Sequence, residues 1–184
     1  SNSGTTISGG INLYHNSINM SGTLSQTSPY PTAITTALYI GANASNLDIR
    51  NNVIVNTQVA TVTTQKNYAI YSTAPITAFT NMNNNDFYVS NSFNASSAFA
   101  GFIGGADRVN LTAIQTGFGQ NTNSIFADPF FVSNTDLRSS LGSSVGAAGA
   151  VGTGVTTDFL SVTRGTPPSI GAYENVINPP PVIS

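Results

Sequence analysis

Seven carboxylates, one histidine and seven tyrosines are the side chains of this 184-residue chain that could do chemistry or hold a polar ligand. Hydrolysis of a glycosidic bond needs two carboxylates roughly 5–10 Å apart. Asp48 and Asp86 are the pair whose places along the chain best suit that role. A lyase acting on an acidic sugar polymer needs a cation site and a Lys or Arg base instead. Aligned by the repeat described below, Asp48 precedes the shared Asn by four residues and Asp86 follows it by one. The two therefore fall in different columns, and no column of stacked carboxylates results. His15 shares its column with Asn51 and Asn84 and reads as a structural turn residue. With no cysteine and no second histidine, no metal centre is expected, nor any other cofactor.

The tyrosines are the stronger candidates. Tyr39 and Tyr71 occupy equivalent places in two repeats, and Tyr88 lies on a third strand. Facing outward, such rings make a platform for sugars, with Asn and Thr supplying hydrogen bonds. Facing inward, they are core packing. Alternation leaves both faces open.

The elements that would position these groups recur along the chain. Leu13-Tyr-His-Asn16-Ser-Ile18, Ile49-Arg-Asn-Asn52-Val-Ile54 and Met82-Asn-Asn-Asn85-Asp-Phe87 align without gaps, with Asn spacings of 36 and 33 residues. One such strand–turn–strand unit cannot bury both of its faces, whereas stacked units bury them against each other. Asn16, Asn52 and Asn85 would then form a hydrogen-bonded ladder. The repeat predicts an all-β fold, a right-handed parallel β-helix (solenoid) over residues 1–175, with one short helix and a C-terminal closing segment. The helix is expected from Asn110 as its cap to Gly117 as its terminator. Residues 142–157 are rich in small residues and read as a loop against the body. Residues 176–184, with Pro179, Pro180 and Pro181, read as a linker toward a neighbouring domain of the same polypeptide. The Ser1-Asn2 start reads as that of an excised piece.

Only 7% of the residues are charged, against roughly 25% in ordinary soluble domains. The five cations are scattered, which excludes a nucleic-acid surface. No apolar run approaches the roughly 20 residues of a membrane-spanning helix, so no membrane insertion is expected.

The C-terminal third carries a recognisable order of motifs. It runs Ala127-Asp128-Pro129-Phe130-Phe131, then Asp136-Leu137-Arg138, Gly142-Ser143-Ser144-Val145-Gly146-Ala147-Ala148-Gly149 and Ile170-Gly171-Ala172-Tyr173-Glu174. This order resembles the ending of parallel β-helix modules of the pectate-lyase-like superfamily. Such modules occur in large secreted surface proteins of Bacteroidetes-type bacteria, many of them type IX secretion substrates. Ser144 and Ala147 stand where that ending carries Pro and Asp, and Ser169 stands where it carries Asp, so no calcium or charge-network role carries over. The resemblance implies an extracellular or bacterial cell-surface location. The function expected is a non-enzymatic stalk or adhesion module contacting polysaccharide or cell-surface glycan. The alternatives are a polysaccharide lyase or glycoside hydrolase of the same fold, and a purely structural spacer or fibre subunit.

Overall fold

The computed structural model describes residues 10–24, 33–60 and 64–175. The Pro-rich linker assigned to 176–184 lies outside the described residues. Within them the chain forms β1 (Ile11–Tyr14), β2 (Ser17–Met20), β3 (Thr23–Leu24), β4 (Ile34–Ile40), β5 (Leu47–Arg50) and β6 (Val53–Asn56). There follow β7 (Val59–Ala60), β8 (Lys66–Ser72), β9 (Phe79–Asn83), β10 (Asp86–Val89), β11 (Ala98–Ile103), β12 (Ala106–Arg108) and α1 (Leu111–Phe118).

Each strand–turn–strand unit turns on one residue. His15, Asn51 and Asn84 have φ of 55°, 61° and 53°, the left-handed region that β-branched residues avoid and Asn tolerates. The turns start β2, β6 and β10 in register: Ser17 and Asp86 both pair with Val53, and Ile18 and Phe87 with Ile54. On the other side of the turn, Leu13 pairs with Ile49 and Ile49 with Met82. These columns make the main core with Leu47, Ile70, Phe79, Ala100 and Ile114. All four residues of β6 are buried. Ile54 faces the main core, while Val53 and Val55 meet Val145 and Ile170 from the C-terminal segment.

The structure corrects the expectation of an all-β, right-handed parallel β-helix. Its strands form separate small sheets, ordered β1-β5-β9, β2-β6-β10, β3-β7 and β4-β8-β11-β12, with one helix and no closed solenoid among the described residues. The first three are parallel and the fourth is mixed. The parallel pairing of the largest sheet ends at β11 for a visible reason. β12 folds back antiparallel on β11 through Gly104 and Gly105, and α1 then sends Ile114 and Phe118 into the core. Beyond α1 the chain pairs through isolated bridges alone. The result is a small domain of parallel and mixed sheets.

The Asn110 side chain accepts from the Ala113 N–H at 2.9 Å. The terminator of α1 is Gly119, at φ 80°, and not Gly117. Gly117 lies inside the helix, where the Arg108 guanidinium crosses it 2.0 Å from where a Cβ would stand, leaving room only for glycine.

The C-terminal segment straps the three layers together. Asn84 donates to the Ala148 carbonyl at 3.0 Å. Asn51 donates to the Ala150 carbonyl at 2.8 Å and accepts from its N–H at 2.7 Å, and His15 Nε2 lies 3.2 Å from Thr153 Oγ1. Further on, Gly171 donates to the Asn51 carbonyl at 2.8 Å and Ala172 to Ser17 Oγ at 3.0 Å. Gly171 sits at φ +94°, and a Cβ there would fall 2.7 Å from Ser17 Oγ and 2.9 Å from Val53 Cγ2. Gly171→Ala combines a left-handed backbone with a clash against a strand. It is expected to cost about 3 kcal/mol, read as a lowered melting temperature in calorimetry.

Candidate functional site

The outer side of β4, β8 and β11 carries a column of aromatic rings. Tyr39 pairs in register with Tyr71, and Tyr71 with Phe102. Their rings stack at centroid distances of 6.1 Å and 4.6 Å, inclined by only 13° and 12°. Tyr68 joins them although it is three residues from Tyr71. Tyr68 is itself buried, 2% exposed, so its ring is the enclosed member of the cluster. Tyr68 meets Tyr71 edge-on at 5.1 Å and stacks on Phe99 at 5.4 Å.

Polar groups border the column. Lys66 Nζ lies 2.6 Å from Asp107 Oδ2 and 5.3 Å from the centre of the Phe99 ring. The Tyr68 hydroxyl donates to Asp107 Oδ1 at 2.8 Å. Burial, reinforced by Asp107, pushes the Tyr68 phenol far above its ordinary range, so it acts as a fixed donor. A groove of about 460 Å³ runs here between Ile34, Thr64, Lys66, Tyr71, Phe102 and Asp107.

Stacking decides which part of the column a ligand can use. Tyr71 is stacked on both faces, by Tyr39 and by Phe102, and can present only its edge. Tyr39 is the end ring on the β4 side and 59% exposed, and its outer face is free of aromatic neighbours among the described residues. A planar apolar ligand surface, such as the face of a sugar ring, can lie on Tyr39 at the β4 edge, while the groove, lined by Tyr71 and Phe102 further along the column, presents Lys66, Asp107 and Thr64 as hydrogen-bonding groups.

Tyr88 belongs elsewhere. It lies on β10, its ring 6.2 Å from Phe126, beside a separate hollow of about 280 Å³ shared with Asn19, Asp128 and Phe130. Burial first, then the Asp128 carboxylate, raises its phenol. The three tyrosines singled out in the sequence thus divide between two sheets.

The carboxylate pair is likewise not brought together. Asp48 stands on β5 and Asp86 on β10, in different sheets. Asp48 accepts from Arg50 Nε at 2.7 Å, from Arg50 Nη2 at 2.8 Å and from the Tyr14 hydroxyl at 2.6 Å. Partial burial pushes its pKa up, but those bonds outweigh it and hold the carboxyl below its ordinary range. Asp86 is fully enclosed. Its Oδ1 accepts from the Ala127 N–H at 3.1 Å, and its Oδ2 has no hydrogen-bond partner among the described residues. Burial pushes its pKa up to about 8, the Ala127 N–H offsets part of that, and the Asp128 charge adds to it. An enclosed carboxyl of this kind cannot touch a polymer.

Asn16, Asn52 and Asn85 lie one above another. Asn52 Nδ2 donates to Asn85 Oδ1 at 3.0 Å, and Asn16 Nδ2 to Asn52 Oδ1 at 2.9 Å. Each Oδ1 also accepts the backbone N–H of the Asn above, at 3.0 Å in both cases. Arg164 and Glu174 serve backbone groups and not each other. Arg164 donates to the carbonyls of Ser169, Gly171 and Ala172, and Glu174 accepts from the N–H groups of Gly165 and Ser169.

Sequence reasoning placed Tyr39 beside Tyr71 but missed Phe102, Lys66 and Asp107. Phe102 carried a signal, since Phe99 and Phe102 repeat the three-residue spacing of Tyr68 and Tyr71. Asp107 carried none, because it arrives by the reversal into β12. The chain matches no protein-family model, no curated protein and no solved structure.

Proposed function

We propose that this chain is a non-enzymatic adhesion module of an exported cell-surface polypeptide, contacting glycan through the Tyr39 end of the aromatic column. The observation that supports it best is the exposed terminal ring of a stacked column beside a groove lined by an ion pair. Ligand sites combine an apolar surface with a few fixed polar groups in this way. The composition agrees, with 7% charged residues and polarity supplied by Asn, Thr and Ser. The engagement of Asp48 and the enclosure of Asp86 speak against the hydrolase alternative, because neither carboxyl is presented to a substrate.

Affinity electrophoresis through gels containing neutral or acidic polysaccharides tests the reading. Retardation by at least one polymer is expected. Tyr39→Ala should weaken it about fivefold, the worth of about 1 kcal/mol for one aromatic contact. The melting temperature should barely move, since Tyr39 is exposed and surface changes usually stay within about 0.5 kcal/mol. Unchanged mobility in every polymer would sink the glycan reading and leave the module a spacer.

A further inference from the structure

The stacked strands are finished differently at their two ends. At the β9-β10-β11 end the backbone is taken up. Asn121 donates to the Met82 carbonyl at 2.9 Å, and Gln120 Oε1 accepts from the Met82 N–H at 2.5 Å. Ile125 bridges β10 from both sides of Asp86, Ser124 Oγ takes the Asn85 N–H, and β12 lies along β11. At the other end, β1, β2 and β4 each pair on one side alone among the described residues. In a parallel ladder alternate residues turn their N–H and C=O outward, so these three edges carry backbone groups with no strand partner among the described residues.

The side-chain columns show the same asymmetry. Ile11, Leu47 and Phe79 stack in register, and Leu47 is 1% and Phe79 5% exposed against 40% for Ile11. Leu13 and Ile18 are partly buried, although their column mates Ile49, Met82, Ile54 and Phe87 are fully enclosed. Among the described residues, the end layer carries core residues with no further layer over them.

We propose that the edges of β1 and β2, with the apolar end between them, form a docking surface for an extended polypeptide segment of the pattern apolar-x-x-Asn-x-apolar. The segment adds in parallel to β1 and β2 and sets its Asn over Asn16. Strand addition supplies main-chain hydrogen bonds, and the alternating apolar residues supply specificity. The Asn ladder decides the partner's chemistry. In both observed steps an Asn donates its backbone N–H and its Nδ2 to the Oδ1 of the next. Asn16 Nδ2 is spent on Asn52 and on the Tyr14 carbonyl at 3.0 Å, whereas nothing among the described residues donates to Asn16 Oδ1. The ladder therefore ends on an acceptor. A second copy docked head to head would set acceptor against acceptor there, and a copy docked head to tail would meet the covered β9-β10 end. A parallel segment bearing Asn satisfies the site. This surface is independent of the Tyr39 glycan reading.

The probe is a synthetic peptide of residues 47–56, Leu-Asp-Ile-Arg-Asn-Asn-Val-Ile-Val-Asn, titrated into the isotope-labelled chain and followed by amide NMR shifts. Saturable shifts confined to residues 11–20 are expected. The same peptide with Asn52→Ala should bind about tenfold more weakly, the worth of one well-placed buried hydrogen-bond set. Four results would overturn the proposal. They are no saturable shift, equal binding by both peptides, the same shifts on raising the protein concentration alone, and binding only after removal of residues 1–9. The third would assign the surface to a second copy, and the fourth to the chain's own N-terminal segment.

Discussion

Asn52→Ala is expected to destabilise the fold by about 4 kcal/mol and to lower its melting temperature by roughly 8–16 °C. The side chain is fully buried and saturated. Its Nδ2 donates to the Leu13 carbonyl at 2.8 Å, the Arg50 carbonyl at 3.0 Å and Asn85 Oδ1, and its Oδ1 accepts from the backbone and side chain of Asn16. Truncation leaves several of these groups without partners, each at about 1–3 kcal/mol where water cannot reach. Asn16→Ala, at the half-buried end of the ladder, should cost only about 1 kcal/mol because water replaces what is lost. Asn52→Leu separates hydrogen bonding from volume. It fills most of the space yet should remain nearly as damaging as alanine. A near-neutral Asn52→Leu in thermal or denaturant unfolding would refute the hydrogen-bond account and make the position a matter of packing.

The ladder column was legible in the sequence because each layer repeats the same turn, and a repeated turn repeats its residue at the spacings 36 and 33. The preceding column, His15, Asn51 and Asn84, was legible as a polar turn position but not as the anchor of the strap. Its partners are backbone groups of Ala148 and Ala150 and the Thr153 hydroxyl, as much as 138 residues away, and a backbone carbonyl leaves no mark in a sequence. The overall fold was misread for a related reason. Periodicity shows that units stack, but not where stacking stops. Here it stops at Gly104-Gly105 in the β4-β8-β11 sheet, where two adjacent glycines also suit many other turns, and at residues 120–125 over β9 and β10. Residues 121–175 have neither strand nor helix period, so their packing against β6 through Val145 and Ile170 could be found only in three dimensions. Asp86 carries a signal of burial in the sequence. It shares a register column with Ser17 and Val53, and a carboxylate in a column whose middle member is a buried valine marks burial more than catalysis.

That burial has a consequence for pH. Asp86 titrates at about 8 in the folded chain against an ordinary 3.8, so the folded state keeps a proton that the unfolded chain has released. Its stabilising contribution is complete below about pH 4 and is lost as the pH rises through about 8. His15 acts in the opposite sense. Burial first, then the nearby Arg164 charge, lowers it from 6.5 to about 4, partly offset by the carbonyls of Gly171 and Ser169 and by Glu174. Asn51 Nδ2, which can only donate, lies 3.0 Å from His15 Nε2 and holds the ring neutral with its proton on Nδ1. The His15 contribution is complete above about pH 6.5 and is lost as the pH falls through about 4. One proton is worth about 1.4 kcal/mol per pH unit, so between pH 4 and 6.5 the two slopes cancel. Asp136, held at about 2 by Arg138, and Asp48 titrate below that window. Stability should therefore be nearly flat from pH 4.5 to 6.5 and then fall by about 2 kcal/mol by pH 8. Asp86→Asn should abolish the fall above pH 6.5 and expose a rise with pH below it. His15→Asn, which places the residue of its column mates on the same left-handed turn, should expose a decline beginning near pH 4. Denaturant unfolding of the three chains across pH 4.5–8.5 measures these slopes. A wild-type curve that still climbs between pH 6.5 and 8 would mean that Asp86 is ionised in the folded chain, and that water or a donor reaches its Oδ2.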